Sequence, residues 1–265
     1  MLKFYHNGGC LECTRSWPCA RTYGFLPVSS TGHLILVRDF FGLSSENGLA
    51  FDALLHLATA AAVLVYFWRD LHKLADGIKR KESSSRILFF AIVAGTIPAA
   101  LAGFFLEDTM ATLFRDPSLV AGGLLVGSLA FLAAERLARR NQTLNVSRGF
   151  AIGLFQALAL IPGLSRSGMS ISGGLLLGLT REHATRFAFL LSFPIILGAG
   201  GKKLIELLLS GTIEANLAAV IVGTIAAFIA GLAAIHFMIT YLKTHTLLPF
   251  VIYRVALAAL VVLLL

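Results

Sequence analysis

An all-α, polytopic membrane helical bundle with two inverted repeats and two re-entrant broken-helix segments is the fold that this 265-residue sequence predicts. Three observations carry it. The chain is 57% hydrophobic and only 14% charged, with mean hydropathy +0.82, too apolar for an ordinary soluble domain. Its apolar runs are continuous and approach ~20 residues, the length a helix needs to cross a bilayer, and they lack the alternation of β-barrel strands. Two polar stretches interrupt them, FLPVSSTGH at Phe25–His33 and IPGLSRSG at Ile161–Gly168. Each sets proline, hydroxyls and then glycine after an apolar run. That is how a helix is broken at membrane depth, where irregular backbone survives only if it lines a polar cavity.

In chain order the predicted spans are Leu49–Trp68, Ile87–Leu106, Leu119–Ala134, Phe187–Gly201, Leu217–Ile239 and Leu247–Leu265. Leu119–Ala134 and Phe187–Gly201 are short and read as tilted or partly re-entrant. The formal charge of +8 is concentrated between spans. Arg69, Lys73, Lys79, Arg80, Lys81 and Arg86 populate one connection, and Arg136, Arg139, Arg140 and Arg148 another. Glu107–Pro117 instead carries Glu107, Asp108 and Asp116 against Arg115. The alternation predicts two basic cytoplasmic loops and an acidic loop outside, with the bilayer and not nucleic acid as the partner. Sequons at Asn141 and Asn145 are silent in a cytoplasmic loop. The small residues of Gly122–Gly127 predict close helix packing.

Residues 1–24 do not fit this plan and read as an aberrant leader; residues 25–265 read as one integral membrane domain. Cys10, Cys13 and Cys19 are all in the leader. The Cys10/Cys13 pair lacks a second ligand pair beyond Cys19 and His6, so no metal site is expected there. No apolar core or small-residue cleavage site marks a signal peptide.

Aligned on their glycines, the two polar stretches place Ser29 with Ser165, Ser30 with Arg166, Thr31 with Ser167 and Gly32 with Gly168. Matching breaks in two halves are what inverted repeats bring together near the bilayer midplane. They would assemble hydroxyls, helix-start N–H groups, one guanidinium and one imidazole, a set suited to phosphate. Arg166 at membrane depth costs roughly 2.5–3.5 kcal/mol on insertion scales, which favours an anionic partner. Ser29, Ser30, Thr31, Ser165, Ser167 and Ser170 serve equally as caps for freed backbone groups. His33, beside three hydroxyls, is a proton-transfer candidate. His56 reads as a packing residue, and Gln156 and Asp52 are weaker cavity candidates. Arg254 is either a snorkelling or a cavity-facing charge.

From Phe25 to the C-terminus the chain resembles the bacterial undecaprenyl-diphosphate phosphatases of the bacitracin-resistance type. The resemblance runs through FLPVSSTGHLIL, FDALLHLATAAAVLVYF, TIPAALAGFFLED, QALALIPGLSRSGMSIS, REHATRFAFLLSFPIILGA and Tyr253-Arg254. It implies an inner-membrane, multi-pass hydrolase with its site facing the periplasm. Such an enzyme removes the terminal phosphate of undecaprenyl diphosphate, which recycles the carrier lipid for peptidoglycan synthesis and gives bacitracin resistance. The resemblance further implies Ser30 as nucleophile candidate, His33 as acid/base and Arg166 as phosphate ligand, with Ser29, Thr31, Ser165 and Ser167 as supporting donors. A divalent cation, Mg²⁺ or Ca²⁺, and a polyprenyl diphosphate substrate are implied too, and a homodimer is left open. Whether serine or water attacks is not readable from the residues.

One departure stands out. In the family, Glu or Gln followed four residues later by Glu precedes the Phe-Leu-Pro; here Ala20 and Gly24 occupy those positions. Hard divalent cations need oxygen ligands, so the metal site is put in doubt and the chain is expected to be impaired. A one-nucleotide frame shift over residues 1–24 accounts for the cysteines and the missing acid together. For one choice of Thr22–Phe25 codons with a lost nucleotide restored, the shifted frame reads Leu-Thr-Glu-Phe; the frame shift is a hypothesis that the coding DNA tests. Three alternatives to an active phosphatase of this type are a lipid transporter or flippase, a phosphatidic-acid-type phosphatase and a non-catalytic binder of lipid diphosphate. The second lacks the downstream histidine and aspartate at the needed spacing.

Overall fold

A computed structural model describes residues 25–30, 32, 33, 36, 48–106, 116–139, 141–210 and 217–264. Among these the regular elements are helices: α1 (Gly48–Tyr66), α2 (Trp68–Lys79), α3 (Ser83–Phe105), α4 (Pro117–Leu137), α5 (Val146–Leu158), α6 (Arg166–Leu176), α7 (Arg181–Ser210), α8 (Leu217–Thr244) and α9 (Leu248–Leu264). Their starts reflect local chemistry. The Asp116 carboxylate accepts from Ser118 N–H at 2.8 Å with Pro117 at the first helical position, and the Asn145 side chain accepts from Arg148 N–H at 2.8 Å, each supplying a partner to an otherwise unpaired helix-start donor. The leader, including Cys10, Cys13, Cys19, Ala20 and Gly24, lies outside the described residues, as do Thr31 and the acidic segment after Leu106.

Segments of α3, α4, α7 and α8 are long and apolar enough to cross a membrane, and α1 with α2 forms a further pair bent by 68°. The two spans expected to be short are full length, α4 with 21 residues and α7 with 30. The basic connection after Trp68 is not a loop but is largely helix α2, which turns its apolar residues Leu71, Leu74 and Ile78 inward and leaves Arg69, Lys73 and Lys79 exposed. Outward-facing side chains along the spans are apolar, including Phe104 at 72% and Phe105 at 75% exposure, as lipid contact requires.

Ion pairs tie one end of the bundle together. Arg181, at the start of α7, grips Glu135 near the end of α4 at 2.6 Å, and Glu135 also accepts from Leu247 N–H at 3.0 Å just before α9. Arg186 pairs with Asp70 of α2 at 2.8 Å, and Lys243 of α8 approaches Glu182 at 3.6 Å. Both basic segments therefore belong to the same end, as the charge alternation predicted.

Helices α5 and α6 do not cross. At 1.5 Å per residue, α5 rises only about 20 Å and α6 about 17 Å. Gln142 N–H, before α5, donates to Gly178 O, after α6, at 2.9 Å. The chain thus enters from the basic end, reverses at 159–165 and returns to that end. This is the second re-entrant segment, with its tip buried inside the bundle.

Candidate active site

Both breaks are built on a serine in an uncommon backbone conformation. Ser29 has φ +66° and Ser165 φ +73°, a left-handed geometry that costs an L-residue roughly 1–2 kcal/mol. Each serine then caps the next helical turn. Ser29 Oγ accepts from Gly32 N–H at 3.3 Å and Ser165 Oγ from Gly168 N–H at 3.4 Å. The serine carbonyls accept from His33 N–H at 3.1 Å and Met169 N–H at 2.9 Å. The sequence alignment of the two motifs is thus reproduced in their capping and carbonyl hydrogen bonds.

The two breaks also touch. Ser29 Oγ accepts from Gly163 N–H at 3.1 Å, and Ser167 donates to Leu26 O at 3.2 Å. Gly163 sits at φ +94°, and a Cβ there would collide with the Val120 carbonyl oxygen. Helix α4 runs beneath both breaks: Gly32 lies against Val120, Gly168 against Phe131, and Gly123 against the Pro162 carbonyl. The small residues of α4 therefore do more than admit a neighbouring helix. Gly123 admits the loop tip and Gly127 the Arg254 guanidinium, while Gly122 faces open space.

Arg254, whose direction the residues alone left open, neither snorkels nor faces an open cavity. It is fully buried. Its Nη1 donates to Pro27 O and Leu164 O at 3.3 Å each, and its Nη2 to Gly163 O at 2.8 Å, Leu124 O at 3.1 Å and Gly123 O at 3.2 Å. Its Nε reaches Ser128 Oγ at 3.2 Å, and Phe131 lies under the guanidinium at 4.6 Å. Every nitrogen of the fork is engaged, by the Ser128 hydroxyl, three carbonyls of the breaks and two of α4. One side chain of α9 thereby pins the first break, the second break and α4.

Around this pin the candidate residues take different places. Ser29, Ser165 and Ser167 are buried, and Ser165 and Ser167 hydroxyls lie 3.4 Å apart. Capping uses the acceptor side of Ser29 and Ser165; because Ser167 donates to Leu26 O, Ser165 is the donor to Ser167, while the Ser29 proton remains available. Ser30 and Arg166 are half-buried at the first helical position after their respective caps. Ser30 makes no hydrogen bond among the described residues and is not paired with His33. His33 instead places Nδ1 2.8 Å from Ser29 O and Nε2 2.6 Å from Tyr253 Oη. From sequence, Tyr253 was visible only through the resemblance; its one signal was adjacency to a charged residue in an apolar span. Gln156, Ser170 and Ser172 are buried, and their side-chain polar atoms have no hydrogen-bond partner among the described residues. Gly173 faces α5 through Phe155 and Gly174 faces α7 through Ala184. Ser170, one helical turn earlier on that face, therefore points into the seam between α5 and α7. The side chain of Asp52 lies outside the described residues.

The cation expected from the resemblance finds no matching donor set here. Among the described residues no three His, Cys, Asp or Glu side chains gather to hold a metal, and Ala20 and Gly24 bring no side-chain oxygen. The described residues offer no acidic donor set for a hard divalent ion.

A family model described as "Bacitracin resistance protein BacA" matches residues 23–260. The chain belongs to the BacA family. Among BacA relatives, the undecaprenyl-diphosphatase of Rubrobacter xylanophilus is 44% identical over 248 residues, covering 89% of this chain and 91% of the relative. That of Moorella thermoacetica is 44% identical over 242 residues, covering 90% and 91%. That of Myxococcus xanthus is 42% identical over 252 residues, covering 91% and 84%.

Proposed function

We propose that this BacA chain hydrolyses undecaprenyl diphosphate to undecaprenyl phosphate and phosphate in the bacterial inner membrane. The observation that carries the reading is the meeting of two serine-capped helix starts, one bearing Ser30 and His33 and the other Arg166. Helix starts offer N–H groups and positive dipole ends to phosphoryl oxygens, and Arg166 adds a guanidinium at the first turn of α6. The terminal phosphate would be held there while Ser30 Oγ or a water attacks phosphorus from the side opposite the bridging oxygen. The bond to the bridging oxygen breaks and its electron pair leaves on the lipid phosphate; where Ser30 attacks, a water then displaces its Oγ from phosphorus and releases phosphate. His33 handles the proton of the attacking group, and Arg166 with the helix-start N–H groups offsets charge on the equatorial oxygens. No step is routed through a metal.

The substrate reaches the site from the bilayer, which the apolar outer faces of the spans adjoin. The hairpin enters from the basic end and its tip lies about 20 Å deeper, which supports an opening toward the opposite, periplasmic face. The replacement of the family acid by Gly24 supports reduced turnover. The test is phosphate release from undecaprenyl diphosphate by the purified full chain and by Arg166→Ala. Release by the parent and loss in the variant is the expected result; equal rates would remove Arg166 and this site from the reaction. Binding of lipid diphosphate without release would make the protein a binder.

A further inference from the structure

His33 is the acid/base candidate, yet in the structure neither of its ring nitrogens is open. Nδ1 lies 2.8 Å from Ser29 O, and a carbonyl oxygen only accepts, so Nδ1 carries a hydrogen. A neutral ring of that tautomer has one lone pair, on Nε2. Tyr253 Oη occupies it at 2.6 Å, with the two rings within 4° of parallel. The contact is held from both sides. Ser29 is fixed by its capping bonds to Gly32 and Gly163, and Tyr253 is adjacent to Arg254, whose Nη1 grips Pro27 O of the same break at 3.3 Å. Tyr253 is 44% exposed while His33 is half-buried, so the tyrosine is the more exposed partner of the pair.

We propose that Tyr253 is the proton relay of this site, the group through which His33 exchanges protons with the reacting atoms. The inference rests on the phosphatase reading above. As the attacking hydroxyl of Ser30 or water forms its bond to phosphorus, its proton passes to Tyr253 Oη and the Tyr253 proton passes to Nε2. Tyr253 ends as it began, and His33 becomes imidazolium with Nδ1–H still on Ser29 O. The Nε2 proton then leaves through the same hydroxyl, to the released phosphate when water attacks or to Ser30 Oγ as water displaces it from phosphorus when Ser30 attacks; the hydroxyl suits the task because it donates to the neutral ring and accepts from the charged one.

Tyr253→Phe keeps the ring and removes the hydroxyl that reaches Nε2. In the purified full chain, kcat for phosphate release from undecaprenyl diphosphate is expected to fall about 10²-fold or more, with KM within about threefold. His33→Gln should fall comparably, and the double variant no further than the worse single variant, because the two act as one unit. In ¹⁵N-histidine-labelled protein, with His33 assigned by its loss in His33→Gln, the Nε2 resonance of Tyr253→Phe should move toward that of a nitrogen accepting no hydrogen bond. The Nδ1–H signal should stay. Losses that multiply, a parental kcat in Tyr253→Phe, or an unmoved Nε2 resonance would each overturn the relay. A full chain that releases no phosphate would instead overturn the phosphatase reading, and the Nε2 resonance would still decide whether Tyr253 holds that nitrogen.

Discussion

The break at Phe25–His33 and the break at Ile161–Gly168 share a backbone and differ in chemistry. In both, a serine at positive φ caps a glycine three residues on, and both press that glycine against α4. Beyond the cap the side chains diverge. Position one after the serine is Ser30 in the first break and Arg166 in the second; position four is His33 in the first and Met169 in the second. Stopping and restarting a helix inside a membrane leaves donors and acceptors that must be satisfied, so the capping serine and the close-packed glycine recur. The intervening positions carry no such obligation, and there one break supplies hydroxyl and imidazole while the other supplies the charge. Arg254 is common to both and belongs to neither motif.

The shared backbone is most vulnerable at Arg254. Arg254→Leu should cost about 3–5 kcal/mol, as loss of a buried charged partner does, and should lower the thermal midpoint and the yield of folded protein. It strands the carbonyls of Pro27, Gly163 and Leu164 together, so one substitution damages both breaks. Retained stability would show that the breaks hold each other without it. Next comes Arg166→Ala, expected to lower phosphate release about 10²–10³-fold while moving the thermal midpoint less than Arg254→Leu does, which separates a residue that serves the substrate from one that serves the fold.

A gain is expected from Gly24→Glu, which restores the acid that precedes the first break in the family; phosphate release should rise about tenfold, within the reach of one added acid/base or ligand group. No gain would mean that residues 1–24 need more than one restored carboxylate, which the coding DNA of that segment decides. The smallest effects are at the caps. Ser165→Ala should cost about 1 kcal/mol by thermal unfolding, and Ser29→Ala more, since Ser29 Oγ also holds Gly163 N–H. Equal costs would mean that the inter-break bond contributes little.

Much of this was legible in the residues. Continuous apolar runs predicted spans, and the alternation of Arg69–Arg86 and Arg136–Arg148 with an acidic loop placed two segments at one end. Proline–hydroxyl–glycine order marked both breaks, and the glycine register paired Ser29 with Ser165. Other features were misread for physical reasons. Arg69–Arg86 looked like a loop because charge density says where a segment lies and not whether it is helical; α2 forms because its apolar residues find α3 to cover them. Leu119–Ala134 and Phe187–Gly201 looked short because polar helix ends, such as Pro117, Arg181 and Lys202, were trimmed by hydropathy alone.

Bilayer length, hydropathy and local capping chemistry act over a few residues, and they were enough to settle the class of fold, the two breaks and the residues that approach phosphate. Which groups face one another across distant stretches of chain was beyond their range. Arg254 could point to lipid, to water or to the interior until α4 presented Gly127 and the breaks presented their orphaned carbonyls. His33 was open to Ser30 until Tyr253 reached it from α9. A side chain's partner is set by which helices meet, and that meeting is decided by the burial of whole faces and not by the residues next to it in sequence.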